Sequence, residues 1–420
     1  MRILVLLIIP FLIFSEEKVD LKKQALSETF LPLISTSDSI NSIKSLKSDF
    51  KYLLSQASMK GANYSISVFS LDRDSMLFDF NASKALTPAS LTKLFTTFNA
   101  VENLGADFQV PTQVYVEDSD SDKETISGNL YIKGGGDALF SKNELDTLFQ
   151  VISKSGIKNI KGNIYIDVSQ FDEETSRFKY SGDNDVVQNV GKITAFNVSR
   201  RPFNKTESYI QKSMIRSNVH LAGEISYCQI PDYTDDKNLK LVIEFQRPLK
   251  DLITITNKRS DNYLAEHIFK LNGSHNSFSE NDWESSLELL YRTTDSLGIP
   301  FTNCKIHDGS GLSRRNLLSS EAIVKMFSYV NSQKYKDTFF NSLSIAGNDG
   351  TLKSRMIGSH AENNLHAKTG TLRNASGLAG VTKTLDGENI AFAFIFNGRK
   401  YRYYKQMEDE MASLIAGFFY

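Results

Sequence analysis

Three short patterns, far apart in the chain, constrain its fold more than any other feature: Ser90-Leu91-Thr92-Lys93, Ser260-Asp261-Asn262 and Lys368-Thr369-Gly370. Taken singly, each has an ordinary structural reading. Ser90 can be a helix-start residue, Ser260 and Asp261 can be helix caps, and Lys368-Thr369-Gly370 can be a strand-to-turn boundary. The S-x-x-K spacing also recurs at Ser48/Lys51, Ser155/Lys158 and Ser176/Lys179. If the three patterns serve one site, the fold must return to the same cleft after 170 residues, from Ser90 to Ser260.

What separates Ser90 from the other serines is its setting. Thr87-Pro88-Ala89 leads into Leu91, Leu94, Phe95, Phe98, Val101 and Leu104, which share one face of a predicted helix, and Gly105 follows. Proline ahead of a helix and glycine just past it are its usual punctuation. Residues three apart on a helix are neighbours, so Lys93 is within hydrogen-bond reach of the Ser90 hydroxyl. The unpaired N–H groups and positive end of the helix favour negative charge beside Ser90. A serine hydroxyl attacks poorly unless a neighbour takes its proton. A lysine can do so only when neutral, which requires burial and a nearby cation to lower a pKa that is ordinarily about 10.4.

Lys368 is the candidate for that cation. It opens a strand-like segment in which Gly370 leaves room for a peptide to add along the edge. The Lys368 ammonium with the Thr369 and Thr371 hydroxyls suits a substrate's terminal carboxylate. Ser260 and Asn262 lie just ahead of a further predicted helix.

Between these patterns the sequence changes character. Helical spacing over about 39–59 gives way to a predicted hairpin, Asn63–Leu71 and Ser75–Phe80. From 106 to 244, short strand-like runs (Gln109–Val116, Gly128–Lys133, Gly162–Asp167) alternate with turns and one helix, Lys142–Ser155; the polar run Glu117–Glu124 reads as a solvated hairpin tip. Helical patterning resumes near Pro248 and runs over Leu252–Leu271. Leu365–Thr371, Leu378–Thr384 and Ile390–Asn397 then read as three strands, and Met407, Met411, Leu414, Ile415 and Phe418 as a closing amphipathic helix. With 420 residues the chain exceeds what one core usually holds. The expected architecture is α/β (α+β): an antiparallel sheet covered by helices, built from residues 16–105 and 245–420, with a β-rich domain of residues 106–244 inserted.

At the N-terminus, Arg2 precedes an apolar run, Ile3–Phe14, that is broken only by Pro10 and ends at Ser15-Glu16-Glu17. It is shorter than the roughly 20 residues of a membrane-spanning helix and reads as a secretory signal peptide over residues 1–15. An uncleaved anchor or a buried helix is the alternative, since no A-x-A-like cleavage site is present, and peripheral association with a membrane stays open. Cys228 and Cys304 are the two cysteines; an exported protein could bridge them, and free thiols are the preferred reading. Neither a metal nor a cofactor has a supporting motif. Gly134-Gly135-Gly136-Asp137 lacks both nucleotide-loop spacings and reads as a turn. The 48 basic and 49 acidic residues nearly cancel, leaving no electrostatic footprint for nucleic acid.

Together and in this order, S-x-x-K, S-D-N and K-T-G form the signature of penicillin-binding proteins and class A β-lactamases. The chain resembles the low-molecular-mass D-alanyl-D-alanine carboxypeptidase/endopeptidase family typified by penicillin-binding protein 4 (serine peptidase family S13). The resemblance extends to Gly134–Leu139, Gly162–Asp167, Asp308-Gly309-Ser310-Gly311-Leu312-Ser313-Arg314 with Asn316, and Ala346–Thr351. Ala138 stands where the family commonly has proline, and the insert is shorter than in typical members. The resemblance implies a transpeptidase-like, serine β-lactamase-like fold and a division of roles. Ser90 is the nucleophile, Lys93 the base and Ser260 a proton relay. Asn262 holds the acyl side chain's amide, and Lys368, Thr369, Gly370 and Thr371 take the carboxylate along the strand. The N–H groups of Ser90 and Thr371 form the oxyanion hole. It further implies an extracytoplasmic enzyme acting on peptidoglycan stem peptides and acylated by β-lactam antibiotics. The alternatives are a β-lactamase or esterase on the same scaffold, for which no dedicated water-activating glutamate is visible, and a non-catalytic cell-wall binding protein.

Overall fold

Residues 389–397 show how the chain builds its larger core. Ile390-Ala391-Phe392-Ala393-Phe394-Ile395-Phe396 is apolar throughout, as a strand covered on both faces must be. Side chains of a strand alternate between faces. Phe392, Phe394 and Phe396 join Phe50, Phe78, Tyr404 and Met411 on one side, while Ala391, Ala393 and Ile395 join Phe95, Phe98 and Phe327 on the other. Alanines on the second side let the helices there approach closely.

The computed structural model describes residues 5–8, 43–117, 124–172, 190–200, 203–228, 239–276, 278–279 and 281–419. One six-stranded sheet has the order β12-β13-β14-β15-β2-β3. It comprises β2 (Asn63–Ser70), β3 (Ser75–Phe80), β12 (Ser344–Ile345), β13 (His366–Leu372), β14 (Ala375–Lys383) and β15 (Asn389–Asn397). All its pairings are antiparallel, and the join of β15 to β2 sews the two ends of the chain together. Helices α1 (Ile43–Ser55) and α10 (Tyr401–Ala416) cover one face, and α2 (Thr92–Leu104) and α8 (Ser320–Asn331) the other. The strands and the hairpin follow the expected boundaries within a few residues. Helix α2 is buried beyond the face that carries its expected apolar residues. Every residue from Thr92 to Val101 is buried. Its polar side chains are satisfied internally, Thr97 Oγ1 by the Lys93 carbonyl at 2.8 Å and Thr96 Oγ1 by the Gly309 carbonyl at 2.7 Å.

The second six-stranded sheet, β1-β11-β4-β6-β8-β10, is mixed. It contains β4 (Gln109–Glu117), β6 (Leu130–Gly134), β8 (Ile164–Asp167), β10 (Ile225–Cys228) and β11 (Leu239–Pro248), with a three-stranded parallel ribbon β5 (Thr125–Ile126), β7 (Asn159–Ile160) and β9 (His220–Leu221) beside it. Residues 118–123 of the expected hairpin tip lie outside the described residues. Among the described residues this region holds two helices, where one was expected: α3 (Lys142–Lys154), which carries a Ser141/Glu144 capping box, and α4 (Phe203–Arg216). The glycine run packs tightly, as a Cβ on Gly134 would sit 2.4 Å from the Ala195 carbonyl oxygen. The core here also takes in Ala100, Val101, Leu249, Leu264 and Ile268, so it is continuous with the helices beside α2. Four residues of the apolar N-terminal run, Val5–Ile8, form β1 (Val5–Ile8), which pairs parallel with β11; the rest of the expected leader lies outside the described residues.

The remaining helices among the described residues are α5 (Leu249–Lys258), α6 (Asn262–Ser274), α7 (Asp282–Ser296) and α9 (Lys336–Asn341). The helical pattern over Leu252–Leu271 is thus two helices, interrupted at Ser260, whose φ of 54° lies in the left-handed region. Among the described residues, no helix is long and apolar enough to cross a membrane, no His/Cys/Asp/Glu group is suited to a metal, and Cys228 and Cys304 are free thiols.

Candidate active site

Ser90 sits in a single 3-10 turn, Ala89–Leu91, that runs straight into α2. Ala89 has a φ of 52°, costly for a residue with a Cβ. Strain of this kind persists only where the surroundings enforce it, and here they do. Strand β13 presses on the turn so closely that a Cβ on Gly370 would lie 2.5 Å from the Pro88 carbonyl oxygen and 3.2 Å from Leu91 Cγ. Besides the room that Gly370 is expected to leave for a substrate, its lack of a side chain admits the turn that carries Ser90.

Lys93 follows one turn later and is fully buried, at 0% exposure. Its Nζ donates to Ser90 Oγ at 3.0 Å, to Asn262 Oδ1 at 2.7 Å, and to the carbonyl of Ser310. Asn262 is the first residue of α6; its predecessor Asp261 is the N-cap and accepts from the Leu264 N–H at 3.0 Å. Of the two capping candidates, Asp261 takes the N-cap, while Asn262 turns its side-chain oxygen to Lys93. Lys368, also at 0% exposure, donates to Ser260 Oγ at 2.8 Å and to the Thr369 carbonyl at 2.8 Å. Burial, and then the charge of Lys93, hold the Lys368 ammonium well below the ordinary lysine range. Two buried amines that repel each other take up one proton far more readily than two.

The structure thus brings Ser90, Lys93, Ser260, Asn262 and Lys368 together. Ser90, Ser260 and Asn262 are half-buried. Along β13, the short partner strand β12 pairs only with Ala367 and His366, so among the described residues Lys368–Leu372 has no strand on its outer side. Thr371 is exposed, while the Thr369 hydroxyl donates to Thr351 Oγ1 at 2.9 Å. Thr351 in turn is braced by Ser344, whose Oγ donates to the Lys258 carbonyl at 3.2 Å. This explains the Ala346–Thr351 stretch: it ties the Lys368 strand to the end of α5, next to Ser260.

Sequence reasoning gave no role to three contacts. The carbonyl of Ser310 closes the shell around Lys93. The 0%-exposed carboxylate of Glu266 lies beneath that loop. Arg200, from the segment before α4, donates to Asp261 Oδ2 at 2.7 Å, and its guanidinium lies 5.1 Å from the centre of the Tyr263 ring. Backbone carbonyls carry no sequence signal, and Glu266 and Arg200 look like any other charged residues until the fold buries the first and sets the second against Asp261.

A sequence profile of the D-Ala-D-Ala carboxypeptidase 3 (S13) family matches residues 46–241 and 194–417. The chain belongs to this family. S13 membership makes it a peptidase hydrolase of the D-Ala-D-Ala carboxypeptidase type. It is 24% identical over 439 residues to the D-alanyl-D-alanine carboxypeptidase of Actinomadura sp. strain R39, covering 84% of this chain and 81% of that one. Two solved structures share its fold. Penicillin binding protein 4 of Haemophilus influenzae superposes with a TM-score of 0.67 at 21% identity, over 86% of this chain and 98% of that one. A predatory endopeptidase of Bdellovibrio bacteriovorus, acylated by penicillin G and bound to its immunity protein, gives 0.58 at 18% identity, over 84% and 92%. The S13 chain described here therefore has the expected penicillin-binding-protein architecture.

Proposed function

We propose that this S13 peptidase cleaves D-Ala-D-Ala stem peptides of peptidoglycan through an acyl-enzyme on Ser90, with Lys93 as base. The observation that carries the reading is the contact of a buried amine with a half-exposed hydroxyl, Lys93 Nζ to Ser90 Oγ at 3.0 Å, beside a second buried amine. A neutral Lys93 donates to Asn262 and Ser310 and turns its lone pair to the Ser90 proton. Ser90 Oγ then bonds to the carbonyl carbon of the penultimate D-alanine while its proton passes to Lys93. The oxyanion is met by the N–H groups of Ser90 and Thr371, contacts of a kind worth about 10²–10³ in turnover. The intermediate collapses as the C–N bond breaks, and the proton returns through Ser260 to the leaving amine. Water then hydrolyses the ester. Asn262 holds the acyl chain's amide, and Lys368, with Thr369, Gly370 and Thr371, receives the terminal carboxylate. Residues 106–244 serve as an inserted domain flanking the cleft.

The same chemistry opens a cross-link when the leaving amine belongs to a neighbouring stem peptide, so one site serves carboxypeptidase and endopeptidase reactions. β-Lactams mimic the scissile amide and acylate Ser90; penicillin G acylation of the Bdellovibrio relative supports this. The short apolar N-terminus supports action outside the cytoplasm after export. The test is intact mass after incubation with benzylpenicillin. Wild type gains one stoichiometric adduct and Ser90→Ala gains none; an adduct that survives in the variant, or no adduct in wild type, overturns the assignment.

A further inference from the structure

Glu266 lies on α6 one turn after Asn262, hence on the same side of the helix. A carboxylate withdrawn from water is costly unless charge or hydrogen bonds compensate it. Glu266 Oε2 accepts from the Gly309 N–H at 3.1 Å and Oε1 from the Ser310 N–H at 3.0 Å. The other end of the Gly309–Ser310 peptide is also held, because the Gly309 carbonyl accepts from Thr96 Oγ1 at 2.7 Å. The next peptide is fixed in the same manner: its carbonyl, that of Ser310, accepts from Lys93, and its N–H, that of Gly311, donates to Asp308 Oδ1 at 2.8 Å. The loop fits only because side chains are missing. A Cβ on Gly309 would sit 2.6 Å from Phe269 Cβ, and one on Gly311 2.0 Å from the Ala89 carbonyl oxygen.

We infer that Glu266 is a positioning residue: through two buried amides it fixes the Ser310 carbonyl, which aims the Lys93 amine at Ser90. The inference rests on the reading of Lys93 given above. A neutral amine has two N–H groups and one lone pair. With Asn262 and the Ser310 carbonyl both held, the lone pair is directed at the Ser90 hydroxyl; with the carbonyl loose, the amine rotates about its terminal bond. Glu266 therefore acts on the chemical step. It leaves capture of the substrate carboxylate at Lys368 untouched, since that amine contacts Ser260 and Thr369 instead.

Glu266→Gln keeps the volume but turns an amide donor towards one of two N–H donors. The acylation rate constant for benzylpenicillin and the dissociation constant of the preceding non-covalent complex are measured separately. The rate constant is expected to fall at least about tenfold, as misplacement of a catalytic group does, while the dissociation constant stays within about twofold. Glu266→Asp, which keeps both acceptors on a shorter arm, recovers part of the rate. An unchanged rate constant overturns the inference, as does a parallel loss of rate and binding that tracks a lower melting midpoint. If Glu266→Gln does not fold, Thr96→Val, which frees the same peptide at its other end, must slow acylation for the inference to stand. Lys93→Met separates the two levels. Acylation at the wild-type rate in that variant removes Lys93 as base and this inference with it, whereas an inert Lys93→Met beside a normal Glu266→Gln removes this inference alone.

Discussion

Adding one methyl group at Gly370 is the sharpest probe of the contact between the Ser90 turn and strand β13, proposed above as nucleophile and carboxylate site. The new Cβ would lie 2.5 Å from the Pro88 carbonyl oxygen, about 0.9 Å inside the 3.4 Å at which contact becomes ordinary. The obstacle is backbone, so no rotamer change relieves it. Either β13 or the Ala89–Leu91 turn must retreat by most of that distance. Overpacking of this size costs about 1–3 kcal/mol of stability, which a domain of this size tolerates. Displacing a nucleophile by about 1 Å costs on the order of 10²-fold in rate. Gly370→Ala should therefore melt a few degrees below wild type, remain folded, and be acylated by benzylpenicillin about 100-fold more slowly, by time-resolved intact mass. Gly191→Ala is the control, because its Cβ would meet only Tyr263 Cε2, at 3.8 Å. Gly370→Ala acylation within a factor of about two of wild type would refute the claim that this close approach sets the geometry of Ser90.

Lys93→Met, which fills the buried volume without a base, should slow acylation by about 10²–10⁴-fold while circular dichroism stays native; a rate near wild type rules out Lys93. Burial and Lys93 hold the Lys368 ammonium below the ordinary lysine pKa, so the cation is present at lower pH and is lost as pH rises through that lowered value. KM for a D-Ala-D-Ala peptide should then rise at a pH where a free lysine is still charged, and the rise should disappear in Lys368→Arg; a flat KM up to about pH 10 contradicts this. Glu408, buried and bonded to Arg355 and Ser376, is pushed up to about 7 by burial, which Arg355 only partly offsets. The folded state keeps a proton that the unfolded chain releases above 4.5, so stability should fall as pH rises from 4.5 to about 7 and then level off. At about 1.4 kcal/mol per unit the fall is at most about 3 kcal/mol. Glu408→Gln should flatten the melting midpoint across this window, and an unaltered slope would assign the dependence elsewhere.

The elements most legible in sequence were those with a strong local signal. Alternation marked β2, and Pro88 and Gly105 bracketed the helix behind Ser90. Lys93 and Ser90 were paired from spacing alone, because an interval of three on a helix is a physical distance. Helix α4 escaped notice because its sequence, Phe203–Arg216, is rich in polar residues and follows a long stretch without periodicity. The burial of α2 on all sides could not be read either. Its threonines look solvent-facing until Gly309 and the helix's own carbonyls take their hydroxyls. Likewise Gly370 was legible as a position needing close approach, but the identity of the approaching group belonged to the tertiary fold.

The register of β15 against β2, from Asn397↔Asn63 to Ile390↔Ser70, has a consequence for how the protein is made. The hairpin that precedes Ser90 finds its sheet partner only in a strand far later in the chain. Ser90 can emerge, and even coil into its turn, long before Lys368 exists. A partly translated or prematurely ended chain therefore holds a serine with no second amine beside it and no strand edge to receive a peptide. The cluster around Ser90 is complete only once β13 to β15 have joined the hairpin in one sheet.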